Sequence, residues 1–263
     1  MASDALTVVP VRRANWPVRI AWLLFAVYFA YALTHLQVTP ARFITGLEHG
    51  QKFLSKLFPP DFHRWELLTK GLRESLEIAI LASVLGVLIS LPVSVLGARN
   101  LMPAWVTWPA RVVMIICRSF HPVIIAILFV KAVGFGALAG ILALTVAAVG
   151  FLGKLFTEAI EEISLKQVEA IRATGAPFMS VIAFGVLPQV FSRFVGFASY
   201  ELDSNLRNST LVGIVGAGGI GGTLFAAFQR FDYDFVCAII IAIIVMIVAG
   251  ELLTNAVKKV FRA

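Results

Sequence analysis

SLKQVEAIRATGAPFMSVIAFGVLP, residues 164–188, is a polar island in a very apolar chain. Long apolar runs lie before it, ending near Ala159, and after it, resuming past Pro188. Its first half reads as a short helix. Ser164 stands at the N-cap, with Gln167 three residues on to complete a capping box. Leu165, Val168 and Ile171 make an apolar stripe at helical spacing. Gly175 falls where a C-terminal cap takes a residue of positive φ, and Pro177 blocks simple continuation. Ten or so residues at about 1.5 Å each reach roughly 15 Å, half the ~30 Å hydrocarbon core of a bilayer. Such a helix cannot span. It lies at a surface, where Lys166, Glu169 and Arg172 are solvated or gripped by a partner.

The remainder of the chain requires a membrane. Of 263 residues 59% are apolar and only 14% charged, and the mean hydropathy is +0.90. A soluble domain carries about 25% charged residues. Six runs are long enough to cross: 18–36, 72–98, 106–133 with Pro122 in its middle, 137–160, a fifth from near Gln189 fading near Arg207, and 235–257. Helices satisfy their own backbone groups in lipid, and the alternation of a β-barrel is absent, so the expected class is an all-α polytopic membrane protein. The first run reads as an uncleaved helix, since no small-residue cleavage site follows it. Six spans put both termini on one side. The basic clusters Arg12, Arg13 and Lys258, Lys259, Arg262 make that side the cytoplasm, and the island is then cytoplasmic. Residues 41–57 carry Phe43, Ile44, Leu47, Phe53, Leu54 and Leu57 at mostly helical spacing, an amphipathic helix on the outer membrane surface. FPPDFHRW, residues 58–65, reads as a rigid turn into the second span. With no internal repeat, residues 1–263 are one transmembrane domain. Residues 1–71 hold the first helix and the amphipathic segment, 72–260 the core helices, and 161–188 the loop with the island. The net charge of +7 is scattered and suits anionic lipid, not nucleic acid.

Chemical motifs are few. Residues 216–221, GAGGIG, match G-x-G-x-x-G, but membrane helices flank them and Asp232 and Asp234 come too early for a ribose ligand. Close backbone packing or a re-entrant turn between the last two spans explains the glycines better. No phosphate-binding G-x-x-x-x-G-K-[ST] occurs, so ATP hydrolysis is not expected in this chain. His35, His49, His63 and His121 lack ligand spacing, Cys117 and Cys237 sit in apolar runs, and neither a metal nor a cofactor is expected. Charges within spans are more telling, because each costs at least ~2.5–3.5 kcal/mol unless paired or hydrated. Arg118 precedes the Pro122 kink. Glu201, Asp203 and Arg207 lie late in the fifth span, where Asp203 and Arg207 are spaced to pair. Two readings stand. One is a structural ion pair. In the other, Arg118, Asp203, Asn205, Arg207, Ser209 and Thr210 face a hydrated pathway whose arginines, amides and hydroxyls suit an oxyanion.

The island resembles the coupling loop of ABC importer permeases: E-A-A, three residues, G, nine residues, I-x-L-P. Glu169, Ala170, Gly175, Leu187 and Pro188 match; Ile171 replaces the third alanine and Gly185 the isoleucine. Phe58–Phe62 (FPPDF), Gly97-Ala98-Arg99, Cys117-Arg118, EAIRATGA and the run from Asp203 to Gly221 extend the likeness to phosphonate-type importer permeases. The resemblance implies a type I ABC importer permease fold with a cytoplasmic coupling helix. It implies that Glu169, Ala170, Arg172, Gly175, Leu187 and Pro188 dock on a separate ATPase subunit. It implies a homodimer in the cell membrane with two ATPase subunits that bind ATP and Mg, an extracytoplasmic substrate-binding protein, and phosphonate- or phosphate-like oxyanions as cargo. An ion-coupled secondary transporter would show inverted repeats with matched broken helices, which are absent. A membrane enzyme such as a lipid phosphatase would cluster catalytic residues at one face, and a channel would show a filter; neither pattern is present.

Overall fold

The computed structural model describes residues 16–36 and 39–261, the last two by backbone alone. Arg12, Arg13 and Arg262, on which the orientation leans, and Gln37 lie outside them. The helices are α1 (Trp16–His35), α2 (Pro40–Leu57), α3 (Trp65–Gly97), α4 (Ala104–Ser119), α5 (Pro122–Val133), α6 (Ala137–Glu161), α7 (Leu165–Ala173), α8 (Phe178–Val181), α9 (Leu187–Ile214), α10 (Ile220–Gln229) and α11 (Tyr233–Phe261), with a π-helical turn, Ile182–Val186, joining α8 to α9. No strand occurs among the described residues. Contacts divide the chain into Met1–Lys56 and Leu57–Ala263.

In the first unit, α1 is apolar all round and buries nothing, as expected of a helix whose solvent is lipid. α2 is amphipathic, with Phe43, Ile44, Leu47 and Leu54 exposed on its apolar stripe, where the sequence places a membrane-surface helix.

In the second unit, α3 and α6 form the central pair, flanked by α4, α5 and α9. Small residues set the spacing. A Cβ on Gly86 of α3 would lie 2.5 Å from that of Ala148, and one on Gly150 of α6 would lie 2.6 Å from the backbone nitrogen of Arg118. These glycines let helices touch backbone to backbone, which is how membrane helices gain dispersion contact without a hydrophobic drive. One buried cluster joins Ile78, Ala126, Leu144 and Val212, from α3, α5, α6 and α9. A second joins Phe156, Val168, Val186 and Phe194, from α6, α7, the π-turn and α9. A third joins Leu68, Ile220, Phe235 and Val236, from α3, α10 and α11.

Five helices are long and apolar enough to cross a membrane, and six spans result if the bent pair α4–α5 counts as one. That pair differs from the kinked span expected over 106–133: its axes meet at 91°. Pro122 bars His121 from helical backbone, Phe120 is extended as well, and two consecutive extended residues end a helix rather than kink it. The fifth span also differs. It runs as one helical segment from Phe178 to Ile214, with the π-helical turn inside it, not from Gln189 to Arg207. The island is therefore shorter than residues 164–188, because the helix has resumed by Phe178. Similarly, α3 begins at Trp65 rather than near Leu72.

Candidate functional site: an anchored surface helix and a polar cavity

The helix α7 forms where the sequence places it, but by a different cap. Ser164 is extended at the N-cap and its side chain makes no capping bond, so the Ser164–Gln167 capping box is not formed. Gln189, on the first turn of α9, does the work instead. Its Oε1 accepts from the Ser164 backbone N–H at 3.0 Å, and its Nε2 donates to the Gly185 carbonyl at 2.6 Å and the Ser164 carbonyl at 3.4 Å. At the other end Gly175 takes φ +78°, and its N–H donates to the Arg172 carbonyl at 3.0 Å. Val168 is fully buried and Ile171 packs beside it, while Leu165, the third member of the stripe, is exposed. The opposite face carries Lys166, Glu169 and Ala170, and Arg172 flanks the buried stripe; all four are exposed, and the three charged side chains make no ion pair among the described residues.

The base of this helix is clamped. Glu161 Oε1, at the end of α6, accepts from the Arg99 N–H at 2.8 Å and from Arg111 Nη2 at 2.6 Å, and Arg111 Nε reaches the Gly97 carbonyl at 2.9 Å. Asn100 Nδ2 donates to the Ile160 carbonyl at 2.7 Å. Arg193, four residues beyond Gln189, pairs with Glu162 at 2.6 Å. Thus α9 holds Glu162 and Ser164, and the α3–α4 turn together with Arg111 of α4 holds Glu161. Sequence reading missed Glu161, Glu162, Arg111, Gln189 and Arg193. A signal was present: Glu158, Glu161 and Glu162 crowd the C-terminus of an apolar helix, where the helix dipole disfavours negative charge and cationic partners are needed.

Further into the bundle, α4, α6 and α9 enclose a cavity of about 400 Å³. Cys117, Arg118, Lys154, Glu201, Ser204, Asn205 and Asn208 line it, the last four sharing one face of α9. A neighbouring cavity of about 260 Å³ shares Arg118 and Lys154. Of the six residues the sequence groups as a pathway, the structure brings Arg118 and Asn205 to this cavity. Asp203 and Arg207 pair with each other at 2.6 Å on another side of α9. Ser209 is buried and donates to the Leu206 carbonyl at 2.8 Å, and Thr210 packs where α9 meets α10. A helix turns 100° per residue, so Asn205, Arg207 and Thr210 cannot share one face. Asn205 also donates to Ser83 Oγ of α3 at 3.0 Å. Lys154, Ser204 and Asn208 were missed, and Glu201, singled out as an in-span charge, was left out of the pathway group.

Residues 82–263 match the family model described as Binding-protein-dependent transport system inner membrane component. The chain belongs to this family. It is 39% identical over 220 residues to the Phosphite transport system permease protein PtxC of Stutzerimonas stutzeri, covering 83% of this chain and 80% of that one. It is 34% identical over 230 residues to the Phosphate-import permease protein PhnE of Mycolicibacterium smegmatis, covering 87% of this chain but only 43% of that longer one. Among solved structures, a chain of the MetNI methionine ABC transporter in an inward-facing conformation superposes with a TM-score of 0.61 at 27% identity, covering 75% of this chain and 99% of that one. The fold is that of the type I ABC importer permeases.

The permease's two departures from the family's loop pattern turn out to be neighbours. A Cβ on Gly185 would lie 3.3 Å from Ile171 Cδ1 and 3.5 Å from Val168 Cα. Ile171 fills the space that Gly185 leaves, so a larger residue on α7 is matched by a smaller one on the π-turn. Leu187 and Pro188 stand on the first turn of α9, not on α7. Pro188 lacks an N–H, and the Leu187 N–H bonds back to the Ile182 carbonyl, five residues earlier, so the wide turn absorbs the missing donor. The GAGGIG segment is packing, not a nucleotide loop. The Ile220 N–H donates to Ser75 Oγ at 2.9 Å, and a Cβ on Gly219, at φ +80°, would lie 2.5 Å from that oxygen. At the start of α3, Arg64 pairs with Asp232 at 2.6 Å and Asp61 at 3.3 Å, and stacks 3.9 Å over the Phe235 ring, tying residues 61–64 to α11. Burial opposes charge on Arg64, but its bonds to Asp232 and Asp61 together raise its pKa.

Proposed function

We propose that the chain is the membrane-spanning permease subunit of an ATP-driven importer of phosphonate- and phosphate-like oxyanions, working as a homodimer with both termini cytoplasmic. The observation that carries this reading is α7. It is a non-spanning helix, anchored along its back by Val168, Ile171, Gln189 and the Glu161 clamp, with Glu169, Ala170 and Arg172 exposed and unpaired. A helix so held has a surface free for a partner and a base that passes force to α6 and α9. The partner is an ATPase subunit, which binds ATP and Mg and supplies the energy this chain has no motif to supply. Gly175 and the first turn of α9, with Leu187 and Pro188, complete the docking surface. An extracytoplasmic binding protein delivers cargo to the opposite side. Two things support an oxyanion as cargo: the names of the phosphite and phosphate permeases above, and a cavity that sets Arg118 and Lys154 beside amides.

Docking is tested by co-purification. Glu169→Lys keeps the helix but reverses the charge at that one position, and it is expected to abolish uptake of labelled phosphate or methylphosphonate and retention of the ATPase subunit, with the permease still inserted in the membrane. Uptake equal to wild type would refute the docking role. Arg207→Ala separates the two readings of that arginine: loss of transport with assembly intact supports a pathway role, and loss of assembly supports a structural pair with Asp203.

A further inference from the structure

The cavity holds a carboxylate that an anion route does not obviously need. Glu201 is 5% exposed, lines the same space as Arg118 and Lys154, and makes no ion pair among the described residues. Asn205, one turn along, hydrogen-bonds to it, and the same amide donates to Ser83. Asn208 likewise donates to Ser204 at 3.3 Å. An ionised carboxylate has about four acceptor sites, so Glu201, which lines the cavity, keeps acceptors beyond the one that Asn205 fills. Leaving such a group without a donor is costly once water is displaced.

We infer that Glu201 is a specificity residue: it accepts a hydrogen bond from the acidic hydroxyl of a protonated oxyanion while Arg118 and Lys154 hold the remaining oxygens. Phosphate and alkylphosphonates carry such a hydroxyl near neutral pH. Sulfate, of similar size and charge, carries none, and its oxygens would face the carboxylate as acceptor against acceptor. A site built to bond a ligand hydroxyl rejects the analogue that lacks it far more strongly than shape alone does. The inference rests on the oxyanion reading of the cavity and adds which oxyanions enter.

The cavity contains its own reporter. Cys117 lines it and is partly exposed, whereas the chain's other cysteine, Cys237, is buried among α10 and α11. In full-length protein in lipid nanodiscs, with Cys237→Ala, the rate at which methyl methanethiosulfonate labels Cys117 is measured against rising phosphate, methylphosphonate or sulfate. Phosphate and methylphosphonate are expected to protect at roughly tenfold lower concentration than sulfate, the discrimination one unmatched buried acceptor supplies. Glu201→Gln, which can turn an N–H toward sulfate, is expected to bring the anions within about twofold of one another at an unchanged unprotected labelling rate. Equal protection by phosphate and sulfate in the wild type, or an unchanged ratio in Glu201→Gln, overturns the role of Glu201 and leaves the oxyanion cavity standing. Protection by none of the anions overturns both.

Discussion

Replacing Gln189 by alanine isolates the joint between α7 and the spans. The change removes the bonds to the Ser164 N–H, the Gly185 carbonyl and the Ser164 carbonyl, at 3.0, 2.6 and 3.4 Å, and leaves every residue of the α7 outer face in place. A net hydrogen bond contributes about 0.5–1.5 kcal/mol. Ser164 is exposed, so water replaces part of what it loses, and the 3.4 Å contact is weak. Together the losses come to about 2 kcal/mol. At about 1.4 kcal/mol per factor of ten, the undocked population of α7 rises roughly 30-fold. Two measurements read this. Amide hydrogen exchange over residues 165–173 is expected to speed up by about that factor, with α3 and α6 unchanged. In the reconstituted transporter, binding-protein-stimulated ATPase activity and uptake are expected to fall together while basal ATPase activity persists. Gln189→Glu keeps an acceptor for Ser164 but sets a carboxylate against the Gly185 carbonyl, so it should not restore coupling. Wild-type exchange across α7 together with wild-type coupling in Gln189→Ala would show that the buried face alone holds the helix.

Three further outcomes are expected. Glu161→Gln weakens its bond to Arg111, in a pair whose side chains are each 28% exposed, and should lower stability by about 1–2 kcal/mol, read as Tm; a double-mutant cycle with Arg111→Ala should return most of that as coupling energy. Gly185→Ile should crowd Ile171 and cost about 1–3 kcal/mol, while the double change Gly185→Ile with Ile171→Ala should recover to within about 1 kcal/mol, again by Tm. The Asp61 carboxylate accepts first from the His63 backbone N–H and then from its ring, which lowers its pKa. A depressed folded pKa means its contribution is complete above the ordinary carboxylate range and is lost as pH falls through the lowered value. Hydrogen exchange across residues 61–64 should therefore stay slow through mildly acid pH and rise only below that range, and Asp61→Asn should remove the acid step.

Spans and island were legible because both are local patterns. A run of apolar residues, a stop at Gly175 and Pro177, and an i, i+4 pair such as Asp203–Arg207 are written within one stretch of chain. What the sequence could not show was geometry set between stretches. The Ser164 cap is filled by Gln189, 25 residues away, in place of Gln167, which lies nearer but on α7 itself. The pathway residues were grouped by polarity, whereas rotation along α9 sends Asn205 into the cavity and Arg207 away from it. Lys154 stands beside Arg118 because Gly150, one turn before it, lets α4 press on α6, a closeness that no single stretch of chain records. The break at Phe120–His121 was also undervalued, since one proline suggests a kink and only the extended residue before it makes a corner.

The same helix that secures α7 also walls the cavity, and this joins the two halves of the site. Gln189 and Arg193 hold the loop at one end of α9; Glu201, Asn205 and Asn208 face the cavity further along it. The 12 residues from Gln189 to Glu201 span about 18 Å, with no break in the helix between them. A helix of this kind moves as a rod, so a displacement of α7 that α9 follows must change the position of the cavity wall as well. The π-turn at Ile182–Val186 lies on the loop side of Gln189. Whatever bending it absorbs therefore falls between α8 and α9, and the Gln189 bonds bypass it. Without them, motion of α7 reaches α9 through the Arg193–Glu162 pair just ahead of α7 and through Val168 and Ile171 sliding on the π-turn, a contact with no directional bond. The side-chain joint, more than the helix surface alone, is what makes motion at the loop a motion at the cavity.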